Sequence, residues 1–165
     1  METKLYSQIV RTKVDTPMKK GKAKIVDVIA KETKGGWAGG EVKIETGLIG
    51  KEAKFFETKD LKNVGGDGNI KLKKPMDQGE LTPSERNEVY LGHLDGRKVE
   101  NSEGEELGRI YDYEILIETT PWKIWKMLVN PTGLSPLKRR VRIHTKYVDT
   151  ITSDKIILKE EFEGV

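Results

Sequence analysis

The chain has 165 residues, with 30 Lys and Arg against 27 Asp and Glu for a net charge of +3, and its hydrophobic and charged fractions are both 35%. That length holds one domain or two small ones, and the lean apolar content offers no run near the roughly 20 residues a membrane helix needs. There is no cysteine, which excludes disulfides and thiolate chemistry, and Met1-Glu2-Thr3-Lys4 lacks the apolar core of a signal peptide, so a cytoplasmic protein is expected.

Taken in chain order, the hydrophobic pattern predicts strands. Lys24 to Ala30 is rich in β-branched residues, and Glu41 to Glu45 alternates as a half-buried strand should. Between them Gly35-Gly36-Trp37-Ala38-Gly39-Gly40 reads as a flexible hairpin tip. Lys51 to Thr58 follows, then a tight turn at Gly65 to Asn69 and a closing strand over 69–72. Residues 75–89 read as a linker. In it Thr82, Pro83 and Glu85 supply an N-cap, a first-turn proline and a capping box, which predict a short helix. Strands resume at Arg109 to Ile117, at Lys123 to Val129 (expected to be buried on both faces), at Lys138 to Thr145 and at Lys155 to Leu158. The tail, 160–165, is acidic with one aromatic, Phe162.

The second half repeats the first. A shift of 85 positions places Lys13-Val14 on Lys98-Val99, Ile25 on Ile110, Asp27 on Asp112 and Trp37 on Trp122; later the register drifts, with Phe55 falling on Val141. Two copies are too few for a solenoid, so the repeat predicts two small units, 1–74 and 90–159, that pack on each other. Residues 1–80 carry 17 basic and 12 acidic side chains, and residues 81–165 carry 13 and 15. Unlike halves that meet each other, or a neighbour's opposite half, fit this asymmetry.

In the second copy, Leu94 to Val99 leads through a polar glycine turn to Gly108-Arg109-Ile110-Tyr111-Asp112, and Asp154-Lys155-Ile156-Ile157-Leu158 closes the unit. This order resembles the PRC-barrel family, and Gly21 to Asp27 with Asp67 to Leu72 match it more loosely in the first copy. The resemblance implies an all-β fold of two tandem small antiparallel barrels. It also implies an adaptor or assembly role without chemistry. A cysteine-free tandem is most similar to the archaeal cell-division members, whose partners are a related PRC-barrel protein, the same protein, or the SepF-type membrane anchor of the FtsZ ring. The alternative is an RNA or ribosome assembly factor, after the ribosome maturation factor of the same family.

The residues themselves assemble no chemistry. With two histidines, His93 and His144, and no cysteine, no metal, cofactor or catalytic residue is expected; His144 is expected to be a solvated strand residue. Asp27 and Asp112 read as fold-holding residues. The partner-binding candidates are Trp37 at the glycine tip, which reads equally as a ring folded back over the barrel mouth, Trp122 and Trp125 in the most apolar strand, where core packing is the favoured reading, Lys138, Arg139, Arg140 and Arg142 in the densest basic cluster, and Phe162 in the tail.

Overall fold

The computed structural model describes residues 2–17, 21–47, 52–83, 88–133 and 135–162. The first copy comprises β1 (Thr3–Leu5), the helical turn α1 (Tyr6–Ile9), β2 (Lys13–Asp15), β3 (Ala23–Thr33), β4 (Gly36–Thr46), β5 (Glu52–Glu57), β6 (Leu61–Lys62) and β7 (Ile70–Leu72). The second comprises β8 (Val89–Tyr90), a 3-10 turn over Leu91–Leu94, β9 (Lys98–Glu100), β10 (Glu106–Leu116), β11 (Trp122–Asn130), β12 (Val141–His144), β13 (Val148–Ile151) and β14 (Lys155–Leu158). The protein is all-β, and the strands join in one continuous sheet.

The sheet is built outward from a seam. Its order, β13-β14-β9-β10-β11-β4-β3-β2-β7-β6, reads the same from β11 as from β4 once each strand is replaced by its repeat equivalent. At the seam Trp122 pairs with Gly39, Lys123 with Ala38 and Ile124 with Trp37. Ala38 and Lys123 are themselves equivalent positions, so a local two-fold axis passes between them. In each copy one pair is parallel, β2 with β7 and β9 with β14, while the other pairs are antiparallel; the paired strands follow an open path rather than the closed ring of a barrel among the described residues.

The leading segments cross over. β1 pairs with β10 of the second copy, and β8 pairs with β3 of the first. Residues 3–9 and 89–94 therefore complete the opposite halves, an exchange that the position of these residues in the repeat does not announce. One apolar cluster runs through both copies, from Ile25, Val42 and Phe56 to Ile110, Met127 and Ile143. Sharing a core answers the marginal burial available to a unit of about 80 residues.

Several expectations change in detail. The glycine-rich tip shrinks to Lys34-Gly35, because Gly36 onward pairs into β4. β11 is not buried on both faces: Lys123 is exposed, and Trp125 and Lys126 are half-buried. The basic run 138–140 precedes β12 as loop. In the linker, Met76–Gln78 forms a 3-10 turn and Val89 is strand, Thr82 and Pro83 lie outside any helix, and Ser84 to Asn87 fall outside the described residues. Pairing also resets the drift. Val42 pairs with Phe56, and its equivalent Met127 pairs with Ile143, so Phe55 corresponds to Arg142 rather than Val141.

Candidate functional site

Two matched carboxylates hold the crossover. In both copies a β-bulge, at Val26 in β3 and Tyr111 in β10, turns the following aspartate toward the other copy's leading segment. Asp27 Oδ1 accepts the N–H of Gly92 at 3.0 Å, its neighbour Val28 at 2.8 Å, and the Tyr6 hydroxyl at 2.8 Å. Asp112 Oδ1 accepts the N–H of Ser7 at 3.1 Å and of Tyr113 at 2.8 Å, and its Oδ2 accepts the Ser7 hydroxyl at 2.5 Å. Ser7 and Gly92 are themselves 85 residues apart. Burial, then the adjacent Asp27 carboxylate, pushes the Tyr6 hydroxyl far above its ordinary range, so it stays a donor. These carboxylates are structural.

Of the two readings of Trp37, the folded-back ring holds and the exposed anchor does not. Trp37 is 3% exposed and Trp122 1%, because the seam turns both rings into the shared core. The Trp37 main-chain N–H donates to Thr145 Oγ1 at 3.0 Å, and the indole ring lies 6.3 Å from the ring of Tyr113. Thr145 in turn donates to the Ile124 carbonyl at 2.6 Å, as its counterpart Thr58 donates to Gly39 at 3.2 Å. The two buried threonines were not singled out from sequence. Their offset is 87 rather than 85, and a lone threonine after a strand carries no signal.

Trp125 behaves differently. It is the extra residue of a bulge in β11, between Ile124, which pairs with Ile115, and Lys126, which pairs with Glu114. The bulge leaves its ring half-buried rather than in the core, with Lys126 Nζ 4.3 Å from a ring centroid. His144 meets Trp125 edge-on at 6.4 Å and Tyr147 at 6.5 Å, and Tyr147 meets Phe162 at 5.6 Å. Lys146 lies 5.2 Å from the Tyr147 ring. The result is a row of four half-buried aromatic rings flanked by two lysines.

His144 is therefore not a freely solvated residue. Its Nδ1 accepts the Lys146 N–H at 3.0 Å, which places the proton of the neutral ring on Nε2. Burial, then Lys146 and Lys126, hold its pKa below the usual 6.5. The row borders a cleft of about 600 Å³, whose lining includes Gly36, Trp37, Trp122, Trp125, His144 and Thr145. Gly36 shapes this wall: its φ is +126°, and a Cβ there would lie 2.8 Å from Thr145 Oγ1.

The basic cluster separates into roles. Arg142 pairs with Glu114 at 3.3 Å, and the Arg140 guanidinium lies 4.8 Å from the Tyr111 ring centroid. Lys138 and Arg139 are exposed, with no carboxylate partner among the described residues. Phe162 belongs to the aromatic row, and its N–H donates to the Lys159 carbonyl at 3.1 Å. Among the described residues, no three His, Cys, Asp or Glu side chains gather as a metal site, and no helix is long and apolar enough to cross a membrane.

No protein-family model matches the chain, and no curated protein matches it in sequence. Among solved structures, a 16S ribosomal RNA processing protein of Pseudomonas aeruginosa, RimM, is similar at 18% identity and a TM-score of 0.35, over 83% of this chain and 98% of that one.

Proposed function

We propose that this protein is a non-enzymatic binding module of macromolecular assembly, and that its ligand is single-stranded RNA held on the aromatic face of the second copy. The observation that carries the reading is the row Trp125, His144, Tyr147 and Phe162, with Lys126 and Lys146 beside it. Aromatic rings that reach the surface stack unpaired bases, and flanking cations hold phosphates; here Trp125 and His144 reach it half-buried, while Tyr147 and Phe162 also pack against the core. The neighbouring cleft, at about 600 Å³, lies within the size range of pockets that take small organic groups and has room for an unstacked base. A role in ribosome or RNA assembly follows from this reading.

The test is a binding series with a fluorescent single-stranded RNA oligonucleotide at increasing salt. Two lysine–phosphate contacts contribute a slope of about −1.4 in log K against log salt, and Lys126→Ala or Lys146→Ala flattens it by about 0.7. Affinity that is absent at low salt, or unchanged in both variants, refutes the reading.

A second reading, a protein scaffold in archaeal cell division that binds a related barrel protein or a membrane-anchored partner, loses two of its candidate contact residues with the burial of Trp37 and Trp122. It retains one favourable observation, the edge of β12 that no strand pairs with among the described residues. Co-purification with a barrel paralogue, undisturbed by nuclease, supports it over the RNA reading.

A further inference from the structure

The two copies differ along one edge. In the first copy, Phe55 of β5 turns its backbone outward, and Glu80, in the segment joining the copies, meets it in a single isolated bridge. The Phe55 N–H donates to the Glu80 carbonyl at 2.8 Å, and the Glu80 N–H returns to the Phe55 carbonyl at 3.0 Å. Contact is close: a Cβ on Gly79 would lie 2.6 Å from both Lys54 Cβ and the Phe56 ring. The covering segment brings Asp77 and Glu80 with it.

In the second copy Arg142 stands where Phe55 stands, by the pairing of Lys43 with Phe55 and of Leu128 with Arg142. The same register turns the Arg142 N–H and carbonyl outward from β11. Among the described residues β12 pairs with β11 alone, and no backbone group meets Arg142 on its other side. A bare strand edge is a template for an added strand. This one lies beside Lys138, Arg139 and Arg140, all exposed.

We propose that the outer edge of β12, at Arg142, takes an extended acidic peptide of a partner protein as an added strand, as β5 takes Glu80. Main-chain hydrogen bonds supply the docking, and the 138–140 loop selects acidic side chains. The proposal does not rest on the RNA reading, since it uses a different edge and different residues from the aromatic row.

The probe is a synthetic peptide of residues 75–83, the chain's own edge-covering segment, added to the full-length isotope-labelled protein and followed by amide hydrogen exchange. Saturable binding with slowed exchange at the Arg142 amide is expected. Replacing the peptide's Asp and Glu by Asn and Gln, or introducing Lys138→Ala with Arg139→Ala, is expected to weaken it about 3- to 10-fold. Both substituted residues are exposed loop positions, so the fold is expected to survive, with an unchanged melting curve as the control. Any of three results overturns the proposal: no binding at millimolar peptide, equal binding of the neutral peptide, or binding that leaves the Arg142 amide unprotected. A single-stranded RNA that alone protects this amide also overturns it and assigns the loop to nucleic acid.

Discussion

Asp27→Ala tests the crossover most sharply. One oxygen, Asp27 Oδ1, accepts three hydrogen bonds, from Tyr6, Val28 and Gly92, and the side chain is 8% exposed. Hydrogen bonds to charged groups contribute roughly 1.5–3 kcal/mol each, and a buried donor left without an acceptor costs about 1–3 kcal/mol. Counting only the two bonds that reach other elements, the loss is about 3–6 kcal/mol. For a chain of this size, that lowers Tm by roughly 6–24 °C. Asp27→Asn keeps an oxygen at the same place and is expected to cost less than half as much. Thermal and urea unfolding of both variants measure the difference. A Tm within 2 °C of wild type for Asp27→Ala, or equal losses in the two variants, refutes the assignment of this carboxylate as the clasp between the copies.

Other outcomes follow from the same geometry. Trp37→Ala is expected to lose about 3–5 kcal/mol of stability as a core truncation, whereas Trp125→Ala is expected to lose less than about 1 kcal/mol; parallel urea melts check both. Gly36→Ala, forced to φ +126° and against Thr145 Oγ1, is expected to cost about 1–3 kcal/mol, and a melt indistinguishable from wild type would contradict this. His144 is held below 6.5 in the fold, so the unfolded chain takes up its proton more readily. Its contribution to stability is complete above that pH and is lost as pH falls from 6.5 toward the lower folded value; His144→Gln is expected to flatten the pH–stability curve in that window. A bound polyanion favours the charged ring, so RNA affinity is expected to rise as pH falls from about 7.5 to 5.5, and to rise less in the same variant.

Much of the fold is legible in the sequence because strand signals and the repeat are local. Lys155 to Leu158 is a strand as its β-branched run requires, and the match of Asp27 with Asp112 picks out two residues with one structural task. The crossover of residues 3–9 is not legible, since a three-residue strand and a four-residue helical turn carry almost no periodicity. Trp37 illustrates a second limit. Flanking glycines gave it the look of an exposed tip, but its burial depends on pairing with Ile124, a partner 87 residues away. The candidate site divides along the same line. Trp125 and Phe162 were picked for their aromatic surface, which the structure leaves half-buried, whereas His144, Tyr147 and Lys146 join them through a bulge and a 3-10 turn that no composition announces.

The central claim rests on the aromatic row, and tryptophan fluorescence reads it directly. Of the three tryptophans, Trp37 and Trp122 are buried and Trp125 is the half-buried one. Titration with single-stranded RNA is expected to quench the emission saturably in the wild-type protein. Trp125→Ala is expected to abolish the quench and weaken binding roughly 5- to 150-fold, as the loss of one stacked base requires, while Tm falls by less than about 4 °C. An unquenched wild type, or a quench and affinity that survive in Trp125→Ala, would contradict the account.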